Sequence, residues 1–155
     1  MNLTNSLLLL ILLAIVLSCK ENTKSATEGD IILIKPLIPY NSPLLDLKDP
    51  DVALVDFRTD DAYKAGHLPG AINLYRDDFQ DTILPYKGIR MDREKMAERL
   101  GKAGITEDHT IVVYDDKGSS DASRLWWLLR LYNFEKVYLL DGGIGYWEYM
   151  GVSLV

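Results

Sequence analysis

The five residues Thr110-Ile111-Val112-Val113-Tyr114 constrain the fold of this chain more than any other stretch. The run is short, β-branched and apolar on both of its alternating faces, which is the pattern of a strand buried from above and below. A polar loop, Asp115 to Asp121, follows it, and then a strongly apolar helical segment, Ala122 to Tyr132. A strand buried on both faces needs helices on both sides, and strand–loop–helix units provide them around a parallel sheet. The same alternation recurs along the chain. Ala53 to Phe57 is a mostly apolar strand, Asp60 to Ala65 a helical turn, Gly66-His67-Leu68-Pro69-Gly70 a tight loop, and Ala71 to Leu74 another strand. Asp92 to Lys102 is a helix that Asp92 caps, with Met96, Ala97 and Leu100 on one face and Gly101 and Gly104 around its end. Lys136 to Leu140 is a strand, Gly142-Gly143 breaks it, and Ile144 to Met150 forms a last helix. Nearer the start, Ile31 to Ile34 suits a first strand. Ser42-Pro43 suits a helix start, with one or two turns over Leu44 to Leu47. The expected fold class is α/β, with three layers, a parallel sheet and helices on both faces, over residues 31–155. No internal repeat is visible.

The N-terminal segment is of another kind. Residues 1–18 contain no Asp, Glu, Lys or Arg, and Leu7 to Leu17 is almost unbroken in its apolar character. That is shorter than the ~20 residues a spanning helix needs, and it has the form of a secretory signal. It ends in Val16-Leu17-Ser18-Cys19, which resembles the lipobox of bacterial lipoproteins. The resemblance implies removal of residues 1–18, lipidation of the Cys19 thiol, export, and a lipid-anchored place on a bacterial membrane in the cell envelope. An uncleaved N-terminal anchor, or a cysteine that merely follows a signal, are the alternatives. Lys20 to Asp30 is polar and without apolar periodicity, so residues 19–30 are expected to be a tether. Cys19 is the single cysteine of the chain. The net charge of -6 argues against nucleic acid as a partner, and it disfavours small anions unless a pocket reverses the sign locally.

Ligands of open parallel sheets bind beyond the carboxyl ends of the strands. That directs attention to Asp115-Asp116-Lys117-Gly118-Ser119-Ser120-Asp121, where backbone N–H groups and the following helix dipole favour an anion. Two carboxylate chemistries fit less well. An aspartyl nucleophile of the haloacid-dehalogenase kind needs Asp-x-Asp, and Lys117 stands at the third position. Asp115, Asp116 and Asp121 together permit a hard cation, but without EF-hand spacing. His109 lies in a polar turn with no evident partner, and Trp126 and Trp127, as helix neighbours, cannot share one face.

Two groups of residues carry a more specific resemblance. The first is Val55-Asp56-Phe57-Arg58, Tyr63 and Gly66-His67-Leu68-Pro69-Gly70-Ala71-Ile72-Asn73. The second is Ile111-Val112-Val113-Tyr114, Gly118, Arg124, Trp126-Trp127, Val137, Leu140-Asp141-Gly142-Gly143 and Trp147. In this order they resemble the rhodanese-like domain family, most closely the N-terminal, non-catalytic domain of two-domain thiosulfate/mercaptopyruvate sulfurtransferases. Active members carry a persulfide on a cysteine at the end of the central strand, and Asp115 stands at that position here. The resemblance therefore implies an inactive loop, Asp115 to Ser120, whose backbone amides Asp115 itself can satisfy and where Asp115, Asp116 and Asp121 are expected to place negative charge against an entering sulfur donor. It also implies a structural role for Asp56, Arg58, His67, Arg124, Gly142 and Gly143, with no metal and no cofactor. Two readings of the whole protein stay open: the N-terminal half of a truncated tandem sulfurtransferase, whose partner would be a catalytic rhodanese domain, or a complete non-catalytic binding module of the envelope.

Overall fold

The computed structural model describes residues 35–83, 85–86 and 88–155. The expected signal segment, Cys19, the tether and the strand at Ile31 to Ile34 lie outside the described residues. The first described strand is β1, Leu37–Ile38, followed by β2, Val52–Asp56, and helix α1, Asp60–Ala65. Strand β3, Ile72–Asn73, leads into a 3-10 turn at Arg76–Phe79 and then helix α2, Arg93–Lys102. The chain closes with β4, Thr110–Tyr114; α3, Ser120–Leu131; β5, Val137–Leu140; and α4, Gly143–Tyr149.

All strand pairs are parallel, in the order β1-β5-β4-β2-β3. The central pair runs Val52↔Thr110 to Asp56↔Tyr114, so the two strands end level. Strand alternation then sorts the core into two layers. Ala53, Val55, Ile111, Val113 and Leu139 face one side, where Met96 and Leu100 of α2 and Ala122, Leu125, Leu128 and Leu129 of α3 cover them. Leu54, Val112, Tyr114 and Leu140 face the other, under Ile144 and Trp147 of α4. Burying both faces of β4 is what its unbroken apolar run requires.

The helix expected at Ser42 to Leu47 is absent. The segment is a series of turns, with the Leu44 N–H on the Ser42 hydroxyl and the Leu45 N–H on the Ser42 carbonyl. Serine there offers the backbone a local alternative to helix. The Asp92 cap is present, its carboxylate accepting from the Lys95 N–H at 2.8 Å. Among the described residues, no helix is long and apolar enough to cross a membrane.

Candidate functional site at the end of the central strand

Strand β4 delivers Asp115 to the mouth of the sheet, and the loop then folds around its carboxylate. One oxygen accepts from the backbone N–H groups of Lys117 at 2.9 Å and Ser119 at 2.8 Å. The other accepts from those of Asp121 at 2.8 Å and Ala122 at 2.9 Å. Two consecutive left-handed residues, Gly118 (φ 63°) and Ser119 (φ 67°), turn these N–H groups inward. Ser119 precedes helix α3 but makes no side-chain capping bond. Asp115 performs that task from a distance, taking the second and third N–H groups of α3. Its side chain is only 1% exposed, so both oxygens are spent inside the protein.

Lys117 and Asp121 form the rim. The Asp121 carboxylate pairs with Arg76 of the 3-10 turn at 2.7 Å and with the Lys117 ammonium at 2.9 Å. Burial works against ionisation of Asp121, but the hydrogen bonds and charges of Lys117 and Arg76 outweigh it and hold the carboxyl below its ordinary value. Asp121 therefore adds no uncompensated negative charge at the loop, contrary to the expectation from sequence. Among the described residues no group of acidic or imidazole side chains could hold a metal ion. Asp116, Lys117, Gly118 and Ser120 are exposed.

The loop rests on glycines from the next unit. Gly143, at φ 55°, lies so close to the end of β4 that a Cβ there would overlap the Asp115 carbonyl oxygen. That carbonyl accepts from the Ile144 N–H at 3.2 Å. A Cβ on Gly142, at φ 76°, would overlap Tyr146.

Beside the loop, Asp56 is fully buried at the end of β2 and pairs with Arg58, Nη2 to Oδ2 at 2.7 Å. Arg58 also donates to the Gly66 carbonyl at 2.8 Å, which ties the tight loop to the sheet. Tyr114 donates its hydroxyl proton to Asp56 at 2.7 Å and accepts from the Leu68 N–H at 3.2 Å. Burial and the neighbouring Asp56 carboxylate push the Tyr114 phenol well above its usual range, so it stays a donor. His67 stacks on Tyr63, with ring centroids 3.7 Å apart, and its Nδ1 meets the Tyr63 carbonyl at 3.0 Å. Arg124 donates to the Gly88 carbonyl at 2.6 Å, away from the Asp115 cradle.

A family model described as rhodanese-like domain matches residues 44–149. The chain belongs to the rhodanese-like domain family. The mitochondrial thiosulfate/3-mercaptopyruvate sulfurtransferase 1 of Arabidopsis thaliana is 30% identical over 145 residues, covering 86% of this chain and 38% of that protein. The 3-mercaptopyruvate sulfurtransferase of Escherichia coli K12 is 29% identical over 112 residues, covering 66% and 40%. The crystal structure of SseA from Escherichia coli, a 3-mercaptopyruvate sulfotransferase, superposes with a TM-score of 0.71 at 26% identity, covering 78% of this chain and 50% of that one. The chain thus spans about two fifths of the length of these curated relatives.

Within this rhodanese-like domain, the structure brings Asp115 to Ser120 together with Gly142 and Gly143 at one end of the sheet. Asp56, Arg58 and His67 gather in a neighbouring cluster. Sequence reasoning missed Tyr114 as the link between Asp56 and the tight loop, and Arg76 as a partner of Asp121. A tyrosine ending an otherwise aliphatic strand was the available signal for the first. Nothing marked Arg76, which arrives from 45 residues upstream. His109 also has a partner after all, accepting from the Thr106 N–H at 3.1 Å.

Proposed function

We propose that this rhodanese-like domain does not itself transfer sulfur, and that it belongs to an exported lipoprotein anchored to a bacterial membrane through lipid on Cys19. The observation that carries the first half is the closure of the loop: the carboxylate of Asp115 occupies all four inward-facing N–H groups. Sulfur transfer through a covalent intermediate needs a polarizable thiolate. Asp115 stands where active members of the family carry their cysteine, and Cys19 is the chain's single cysteine, far from the loop in sequence. A buried carboxylate with both oxygens engaged neither attacks a sulfur donor nor leaves room for one. The lipidated anchor rests on Val16-Leu17-Ser18-Cys19 and the apolar run before it.

The domain's place in a larger protein follows the same line. The matched relatives extend well beyond the aligned region, and the resemblance to the N-terminal domain of tandem sulfurtransferases supports a structural role for this domain beside a catalytic rhodanese domain. A non-catalytic envelope binding module is the second reading. It predicts a monodisperse domain, and the coding frame downstream separates the two: a second rhodanese domain with a loop cysteine belongs to the first reading alone.

The decisive assay is thiosulfate:cyanide sulfurtransferase activity of the detergent-solubilised chain beside an Asp115→Cys variant. The parent is expected to be inactive. Gain of turnover by the variant would identify the loop as an intact anion cradle lacking only its nucleophile. Turnover by the parent, with contaminating enzyme excluded, would overturn the proposal.

A further inference from the structure

A concave site lies at the carboxyl ends of β1 and β5, beside the glycine pair that supports the Asp115 loop. It is a pocket of about 280 Å³ lined by Pro39, Tyr40, Asp141, Gly142 and Tyr146. The rings of Tyr40 and Tyr146 stand 6.0 Å apart at 57°. Each keeps about two fifths of its surface exposed (39% and 41%), and both line the pocket. Both rings are held by their surroundings. Tyr40 meets Trp147 edge-on at 6.5 Å, and the turn that carries it is closed by the Ser42 N–H on the Pro39 carbonyl. Tyr146 packs over Gly142, where any Cβ would overlap it. Tyr149 extends the aromatic surface, 6.4 Å from Tyr146.

Asp141 is the sole charged residue of the lining, and its carboxylate makes no hydrogen bond or ion pair among the described residues. Helix α4 carries no basic residue. An anion entering the pocket would meet the exposed Asp141 carboxylate, and a neutral apolar guest would leave that charge without a counterion. An alkylammonium group satisfies both surfaces, its charge against the carboxylate and its methyl groups against the ring faces. We propose that this pocket binds a small organic cation of the quaternary ammonium class.

The test uses the full chain in a maltoside detergent, free of choline head groups, with ligand-observed NMR titration. Tetramethylammonium and choline are the cationic probes, and dimethylbutanol, the neutral carbon isostere of choline, is the control. Saturable binding of both cations is expected, with the isostere weaker by about tenfold. Asp141→Asn and Tyr40→Leu should each weaken choline about three- to fivefold, the scale of one exposed cation–π or ion contact, while Tyr40→Phe keeps the ring and the affinity. Melting temperatures of the variants verify folding. If Tyr40→Leu fails to fold, the isostere comparison and Asp141→Asn still decide. Equal binding of choline and its isostere would overturn the assignment, as would no saturable cation binding, or an unchanged affinity in Asp141→Asn.

Discussion

Replacing Asp115 by Ala should both destabilise the domain and make its stability depend on added anion. The carboxylate satisfies four N–H groups, two in the loop and two at the start of α3. The loop pair belongs to Lys117 and Ser119, which border solvent, and water can replace the lost acceptor there. The other pair belongs to Asp121 and Ala122, both buried. An unsatisfied buried N–H costs about 1–3 kcal/mol, so the two together put the expected loss at about 2–6 kcal/mol. Partial entry of water favours a value near 3 kcal/mol, well above the roughly 1 kcal/mol of an ordinary N-cap. Urea unfolding measures it, as a lower midpoint at unchanged slope. The vacated cradle is then an anion site of four convergent N–H groups. Titrating sodium formate should return stability to the variant, by about 2.7 kcal/mol at a hundredfold excess over its dissociation constant. Matched sodium chloride and the parent protein serve as controls. The parent should not respond, because its own carboxylate already fills the site. A loss below about 1 kcal/mol would refute this account of the loop, and so would formate stabilising parent and variant alike.

Two further outcomes follow from the same region. Gly143→Ala combines a left-handed backbone with overlap of the Asp115 carbonyl, whereas Gly118→Ala meets open space and carries only the backbone strain. Thermal or urea unfolding should show a loss of about 1 kcal/mol for Gly118→Ala and clearly more for Gly143→Ala; equal losses would mean that the close approach of the two loops carries no energy. Asp121 has a folded-state pKa below its unfolded value, so its contribution is present above about pH 4 and is lost as pH falls through the folded value. Stability measured from pH 6 down to about pH 3 should therefore fall less steeply in Asp121→Asn than in the parent; identical acid limbs would deny the pairing with Arg76 and Lys117.

What was legible in the sequence was whatever depends on neighbours along the chain. Periodicity and capping located β4, α2 and α3 to within a residue or two, since burial on both faces of a strand and one face of a helix leaves a local signature. The carboxylate at the end of β4 was legible for the same reason: strand, loop and helix are contiguous, and N–H groups at a helix start seek an acceptor. Contacts between distant segments left no such mark. Tyr114 reaches Asp56 across 58 positions, and Arg76 reaches Asp121 across 45. The expectation that Asp121 adds negative charge at the loop failed because counting carboxylates in one stretch omits both the pairing with Lys117 four residues before it and Arg76, which the fold brings from elsewhere. The turns at Ser42 to Leu47 mark the opposite failure, a short local pattern of Ser-Pro followed by leucines of which Leu45 alone packs against the core. Leu44 and Leu47 stay about 40% exposed (41% and 40%), so one partly buried leucine is all the apolar face that could have justified a helix. Both errors have one physical root: local sequence sets what a segment can form, and the remote groups that meet it decide which of those forms, and which net charge, survives.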